Sequence, residues 1–113
     1  MEADSYKLLW DARRAAELVA NFTGGKTFAE YQADQLLRSG VERQLAIVGE
    51  ALNQLRQTDP ATFNAIPEAS RIVGFRNVLV HGYASVDNRI VWGIVQANLQ
   101  SLLTALDSLL ARQ

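Results

Sequence analysis

The sequence predicts an all-α fold, a four-to-five-helix up-and-down bundle forming one domain over residues 1–113. Apolar residues recur every three or four positions along Val41, Leu45, Val48, Leu52 and Leu55, and again along Val91, Val95, Leu99, Leu102, Leu106 and Leu109. That is the period of one buried helix face. No segment alternates apolar and polar residues as a half-buried strand would. Helix-boundary residues stand between the periodic stretches at intervals suited to short connections in a helical bundle.

The first helix is expected from about Ser5 to Phe22, with Leu8, Leu9, Ala12, Ala15, Ala16, Val19 and Phe22 on one stripe. Asp4 or Ser5 can cap its start. Gly24 and Gly25 favour a reversal at its end. Thr27-Phe28-Ala29-Glu30 has the form of a capping box. A second helical stretch follows to about Gln57, with a break expected near Ser39-Gly40. Gly40 and Gly49 each cost helix stability of up to about 1 kcal/mol relative to alanine, and close approach of another helix would explain keeping them. Arg43, Ile47, Glu50 and Gln54 fall on a different face from the seam, and Arg43 with Glu50 forms a candidate secondary polar patch, solvated or interfacial. Thr58-Asp59-Pro60 reads as a cap with proline in the first turn. Ile66-Pro67 then interrupts, and Pro67-Glu68 suits the first turn of the next helix. That helix is expected to end near His81, with Gly82 as a left-handed stop. Asp87 can cap the last helix, with Val86 and Val91 placed as a hydrophobic staple.

Composition excludes several classes of function. There is no cysteine and a single histidine among 113 residues, which argues against disulfides, thiolate metal sites and structural zinc. The carboxylates are scattered rather than clustered, and Gly24-Gly25 is too short to cradle a phosphate. No metal or cofactor is therefore expected. No apolar run reaches membrane-spanning length, and the acidic start Met1-Glu2-Ala3-Asp4 lacks a signal-peptide pattern. A cytoplasmic protein is expected. The net charge is −1, so nucleic-acid binding would need positive charge concentrated locally, for example across a dimer seam. Arginine outnumbers lysine, which suits phosphate recognition.

The densest chemistry lies in Arg76-Asn77-Val78-Leu79-Val80-His81-Gly82-Tyr83, which holds the one histidine. On a helix from Ile72 to Gly82, Val80 lies at roughly 40° from Arg76, Asn77 at about 100° and His81 at about 140°. Ile72, Phe75, Val78, Leu79 and Gly82 fall between about 200° and 320°. One helix thus carries an apolar face and a face bearing Arg76, Asn77 and His81. Asn77 and His81 are spaced to interact. Taken alone, a histidine at a helix C-terminus can be there for the helix dipole, an arginine on a helix can simply be solvated, and Tyr83 can be an aromatic packed at the domain edge.

The stretch Arg76-Asn77, three residues, His81-Gly82-Tyr83 resembles the signature of HEPN-domain proteins, specifically the HepT-like toxins. Val41 to Leu52 resembles that family's second long helix, and Gly74-Phe75 and Val86 to Trp92 resemble the flanks of its motif. The resemblance implies a HEPN-type bundle paired as a symmetric dimer. It implies the toxin of a type VII-like toxin–antitoxin system, a metal-independent endoribonuclease using the RNA's own 2′-hydroxyl on tRNA or mRNA. His81 would then be general base or acid. Arg76 would stabilise the phosphate, and Asn77 would orient His81 or a phosphate oxygen. Tyr83 would be where a partner MNT-type nucleotidyltransferase antitoxin attaches AMP, adding bulk and negative charge. The alternative is a non-catalytic helical module serving as partner or nucleotide-binding subunit of such a transferase.

Overall fold

The computed structural model describes residues 2–82 and 86–112, which form six α-helices and no strand. They are α1 (Ala3–Thr23), α2 (Phe28–Ala33), α3 (Gln35–Thr58), α4 (Pro60–Asn64), α5 (Ala69–His81) and α6 (Asn88–Leu110). The four long helices are those expected. The two short ones occupy the connections on either side of α3. None of the helices is long and apolar enough to cross a membrane among the described residues.

Neither Asp4 nor Ser5 caps α1. Glu2 holds the cap position, without a side-chain bond. Ser5 is buried in the first turn, and its hydroxyl donates to Asp59 Oδ2 at 2.8 Å. A partner far away in sequence has displaced the local role. The bond also sets the start of α1 beside the end of α3, so these two helices run antiparallel. At the other end, the Gly24 amide donates to the Ala20 carbonyl at 2.9 Å, and Gly25 takes a left-handed φ of 74°. Only glycine adopts that angle without a Cβ penalty.

The capping box forms as the sequence predicts. Thr27 Oγ1 accepts from the Glu30 amide at 3.1 Å, and Glu30 Oε1 accepts from the Thr27 amide at 2.9 Å. The break expected at Ser39-Gly40 lies instead at Asp34, and α3 runs unbroken through both residues. Asp34 is extended, and its carboxylate accepts from the Leu37 amide at 3.0 Å. A stop that satisfies a helix donor outweighs the modest propensity cost of an interior glycine.

The approach to α5 also differs from expectation. Glu68 is not in the first turn; it precedes the helix with a left-handed φ of 58°. Phe63 and Ile66 are both buried, so the chain must reverse after Ile66 before the next helix can begin. Gly82 is not left-handed either, with φ −111°. Asp87 caps α6 as expected, accepting from the Arg89 amide at 2.8 Å. Val86 packs half-buried on the core, of which the fully buried Val91 is a part.

The helices lie in the order α6, α1, α3, α5. The predicted seam of α3 and stripe of α6 are buried throughout. Each fully buried leucine or valine contributes about 1.5–3 kcal/mol. Phe22 departs from its stripe and is half-exposed in the last turn of α1, over Gly40. Tyr31 is fully buried beside Trp92, with ring centroids 5.3 Å apart. Burial pushes its phenol well above the usual range.

Candidate active site

The α5 helix meets α3 at Gly49. A Cβ added there would lie 2.3 Å from Arg76 Cβ and 3.3 Å from the Ile72 carbonyl oxygen. That notch, rather than the hydrophobic pattern of α5, decides which side of the helix turns inward. Ala69, Ile72, Val73 and Leu79 are buried, and they cluster around the direction of Arg76. The sequence-based split, with Arg76 on an outward polar face and Val78 inside, is therefore reversed for those two residues. Val78 is exposed. Arg76 lies on the α3-facing side, its aliphatic stem against Gly49.

The Arg76 guanidinium is fixed there from two sides. Nη2 pairs with Glu50 Oε2 at 2.6 Å, and Nη1 donates to Asn77 Oδ1 at 3.1 Å. Glu50 is in turn held by Gln54 Nε2, which donates to its Oε1 at 3.2 Å. The Arg76 side chain retains 24% exposure, and its Nε is buried with no acceptor among the described residues. Such a cation is oriented before any ligand arrives and still reachable at its edge. The ion pair contributes little net stability at this exposure, so its main effect is orientation. The Asn77 carbonyl is thus bonded to Arg76 rather than to His81.

Arg76 borders a groove of about 690 Å³ between α1, α3 and the end of α5. Arg43 and Glu50, the secondary polar patch of the sequence, both line it. So do Lys7, Asp11 and Arg14 from α1, which the sequence reading passed over. Their signal was a polar stripe at i, i+4 and i+7, flanking the apolar stripe of the same helix. Lys7 Nζ pairs with Asp11 Oδ2 at 2.8 Å.

His81 stands apart. It is the last residue of α5 and exposed, and its side chain makes no hydrogen bond or ion pair among the described residues. It is not among the groove's lining residues. Five residues on a helix separate it from Arg76 by about 7.5 Å along the axis and roughly 140° around it. One chain therefore gathers Arg76, Asn77, Glu50 and Arg43, and presents its histidine on a neighbouring surface. Tyr83 lies outside the described residues. Among those residues no cluster of three or more histidine, cysteine or acidic side chains is placed to hold a metal.

The profile of the ribonuclease HepT-like family matches residues 12–109. The chain belongs to the HepT-like family. Its relatives include a candidate RNase of Methanocaldococcus jannaschii, 29% identical over 99 residues that cover 88% of this chain and 90% of that protein. A probable ribonuclease HepT of Thermococcus cleftensis is 32% identical over 96 residues, covering 83% of this chain and 84% of its own. A candidate RNase of Caldanaerobacter subterraneus is 27% identical over 89 residues, 79% of each chain. No solved structure matches the chain with significance. Membership in the HepT-like family supports a ribonuclease-type function. It agrees with a motif helix that holds an oriented arginine and ends in an accessible histidine.

Proposed function

We propose that this HepT-like chain is the toxin of a type VII-like toxin–antitoxin pair: an endoribonuclease that cuts tRNA or mRNA in the cytoplasm without a metal, at a site shared by two copies. The observation that carries the reading is the pre-oriented guanidinium of Arg76, held by Glu50 and Asn77 on the same helix that ends in the exposed His81. A pure scaffold has no need of an arginine held half-buried at an open groove.

In the reaction, one His81 takes the proton of an RNA 2′-hydroxyl as that oxygen attacks the adjacent phosphorus. The bond from phosphorus to the 5′-oxygen breaks, and the imidazolium of a second His81 gives that oxygen a proton. A 2′,3′-cyclic phosphate and a free 5′-hydroxyl result. Arg76 from each copy neutralises charge building on the non-bridging oxygens, where two fixed donors are stronger than water. The separation of His81 from Arg76 within one chain supports a site made across a symmetric dimer, since two motif helices side by side supply both groups from two directions. Attachment of AMP to Tyr83, two positions after His81 in the sequence, by an MNT-type nucleotidyltransferase would add negative charge that repels the RNA backbone.

The second reading is a non-catalytic module partnering such a transferase, favoured only by the net charge of −1. Expression of the chain alone separates the two. The toxin reading predicts growth arrest that His81→Ala relieves and that a co-expressed transferase suppresses, with an AMP-sized mass increase on Tyr83. Arrest by His81→Ala equal to wild type would remove His81 from the chemistry.

A further inference from the structure

We infer that the groove between α1 and α3 is an RNA subsite beside the scissile phosphate, in which Arg14 and Arg43 hold a flanking phosphate of the single strand. The inference rests on the ribonuclease reading and adds the path of the substrate to it.

Four cations and two carboxylates line the groove. The carboxylates are both taken: Asp11 by Lys7 and Glu50 by Arg76. Arg14 on α1 and Arg43 on α3 have no carboxylate partner among the described residues, and both are exposed on opposite walls. A chain of net charge −1 thus carries two uncompensated guanidinium groups across one cleft, next to the oriented Arg76. Between them the floor is apolar, formed by Ala15, Leu18, Ile47 and Ala51 among others. Cationic walls over an apolar floor match a nucleotide unit, whose phosphate seeks bidentate guanidinium donors and whose base seeks an apolar face. The volume, about 690 Å³, lies within the range of small-molecule sites. Arg76 belongs to both the groove and the motif helix, so a strand lying in the groove runs directly onto the reacting phosphate. An acidic peptide would use the same cations but would gain little from the apolar floor.

The test uses the full chain carrying His81→Ala, and a single-stranded RNA blocked by 2′-O-methyl groups. Binding is measured against salt concentration, with Arg14→Gln and Arg43→Gln added singly and together. Each substitution is expected to weaken binding on the order of threefold to tenfold. The double substitution should also reduce the slope of log affinity on log salt by about 0.7, the value for one phosphate neutralised on a single strand. Arg14→Lys with Arg43→Lys should keep the slope. In the His81 form, the glutamine variants should raise KM for an oligonucleotide by a larger factor than for a dinucleoside monophosphate, which has no flanking phosphate. RNA binding by His81→Ala that the glutamine variants leave unchanged in affinity and slope would overturn this inference alone. A change of oligomeric state in the glutamine variants would also overturn it, marking the groove as a seam between copies. No RNA binding by His81→Ala at all would overturn it together with the ribonuclease reading.

Discussion

Asp59 joins three helices through one carboxylate. It ends α3, caps α4 by accepting from the Thr62 amide at 3.2 Å and the Thr62 hydroxyl at 2.6 Å, and accepts from Ser5 of α1 at 2.8 Å. The side-chain bonds from Thr62 and Ser5 hold its pKa below the usual carboxylate value. Glu30 is likewise lowered, by its bonds with Thr27. A depressed folded pKa contributes stability that is complete above the unfolded value of about 3.9 and is lost as pH falls through the lower folded value. Glu42 has the opposite sign, since burial raises it, and its protonation relieves a cost. Asp59→Asn should therefore reduce stability at neutral pH and flatten the acid limb below about pH 4, read as denaturant midpoint against pH. An acid limb as steep as wild type would remove Asp59 from that role. The cap was legible from Thr58-Asp59-Pro60 because capping is local. The bond to Ser5 was not, because no spacing rule links residues 54 positions apart.

At the scale of helices, the site depends on how closely α5 approaches α3. The buried seams of α3 and α6 were readable because each runs for several turns with one period. The orientation of α5 was not. Its apolar residues are spread around the helix, so a glycine on another helix and a single arginine decide which face turns in. Gly49→Ala tests this. Alanine gains up to about 1 kcal/mol of helix propensity. Its Cβ, however, would meet Arg76 Cβ at 2.3 Å, and a Cβ moves only with its backbone. Overpacking of this kind costs about 1–3 kcal/mol. The expected result is a net loss of up to about 2 kcal/mol in chemical denaturation. On the proposed role of Arg76 at the reacting phosphate, a fall in kcat/KM of at least about tenfold should accompany it. Greater stability than wild type with full activity would show that the close approach is dispensable.

For the whole molecule, the distribution of charge matters more than its sum. A chain of net charge −1 concentrates Lys7, Arg14, Arg43 and Arg76 around one groove. The sequence required such a concentration if RNA is the substrate, but could not place it, because α1 and α3 supply residues far apart in the chain. The motif itself was visible, since its spacing is local. The separation of His81 from Arg76 around α5 follows from helical geometry, but the burial of Arg76 against Gly49 does not. The most direct measurement is cleavage of purified tRNA and total RNA by the protein without AMP on Tyr83, in EDTA, with His81→Ala alongside. The account predicts cleavage by wild type that leaves 2′,3′-cyclic phosphate ends and falls by at least about a hundredfold in the variant, the scale of a lost general acid–base. No cleavage by wild type, or equal cleavage by His81→Ala, would contradict it.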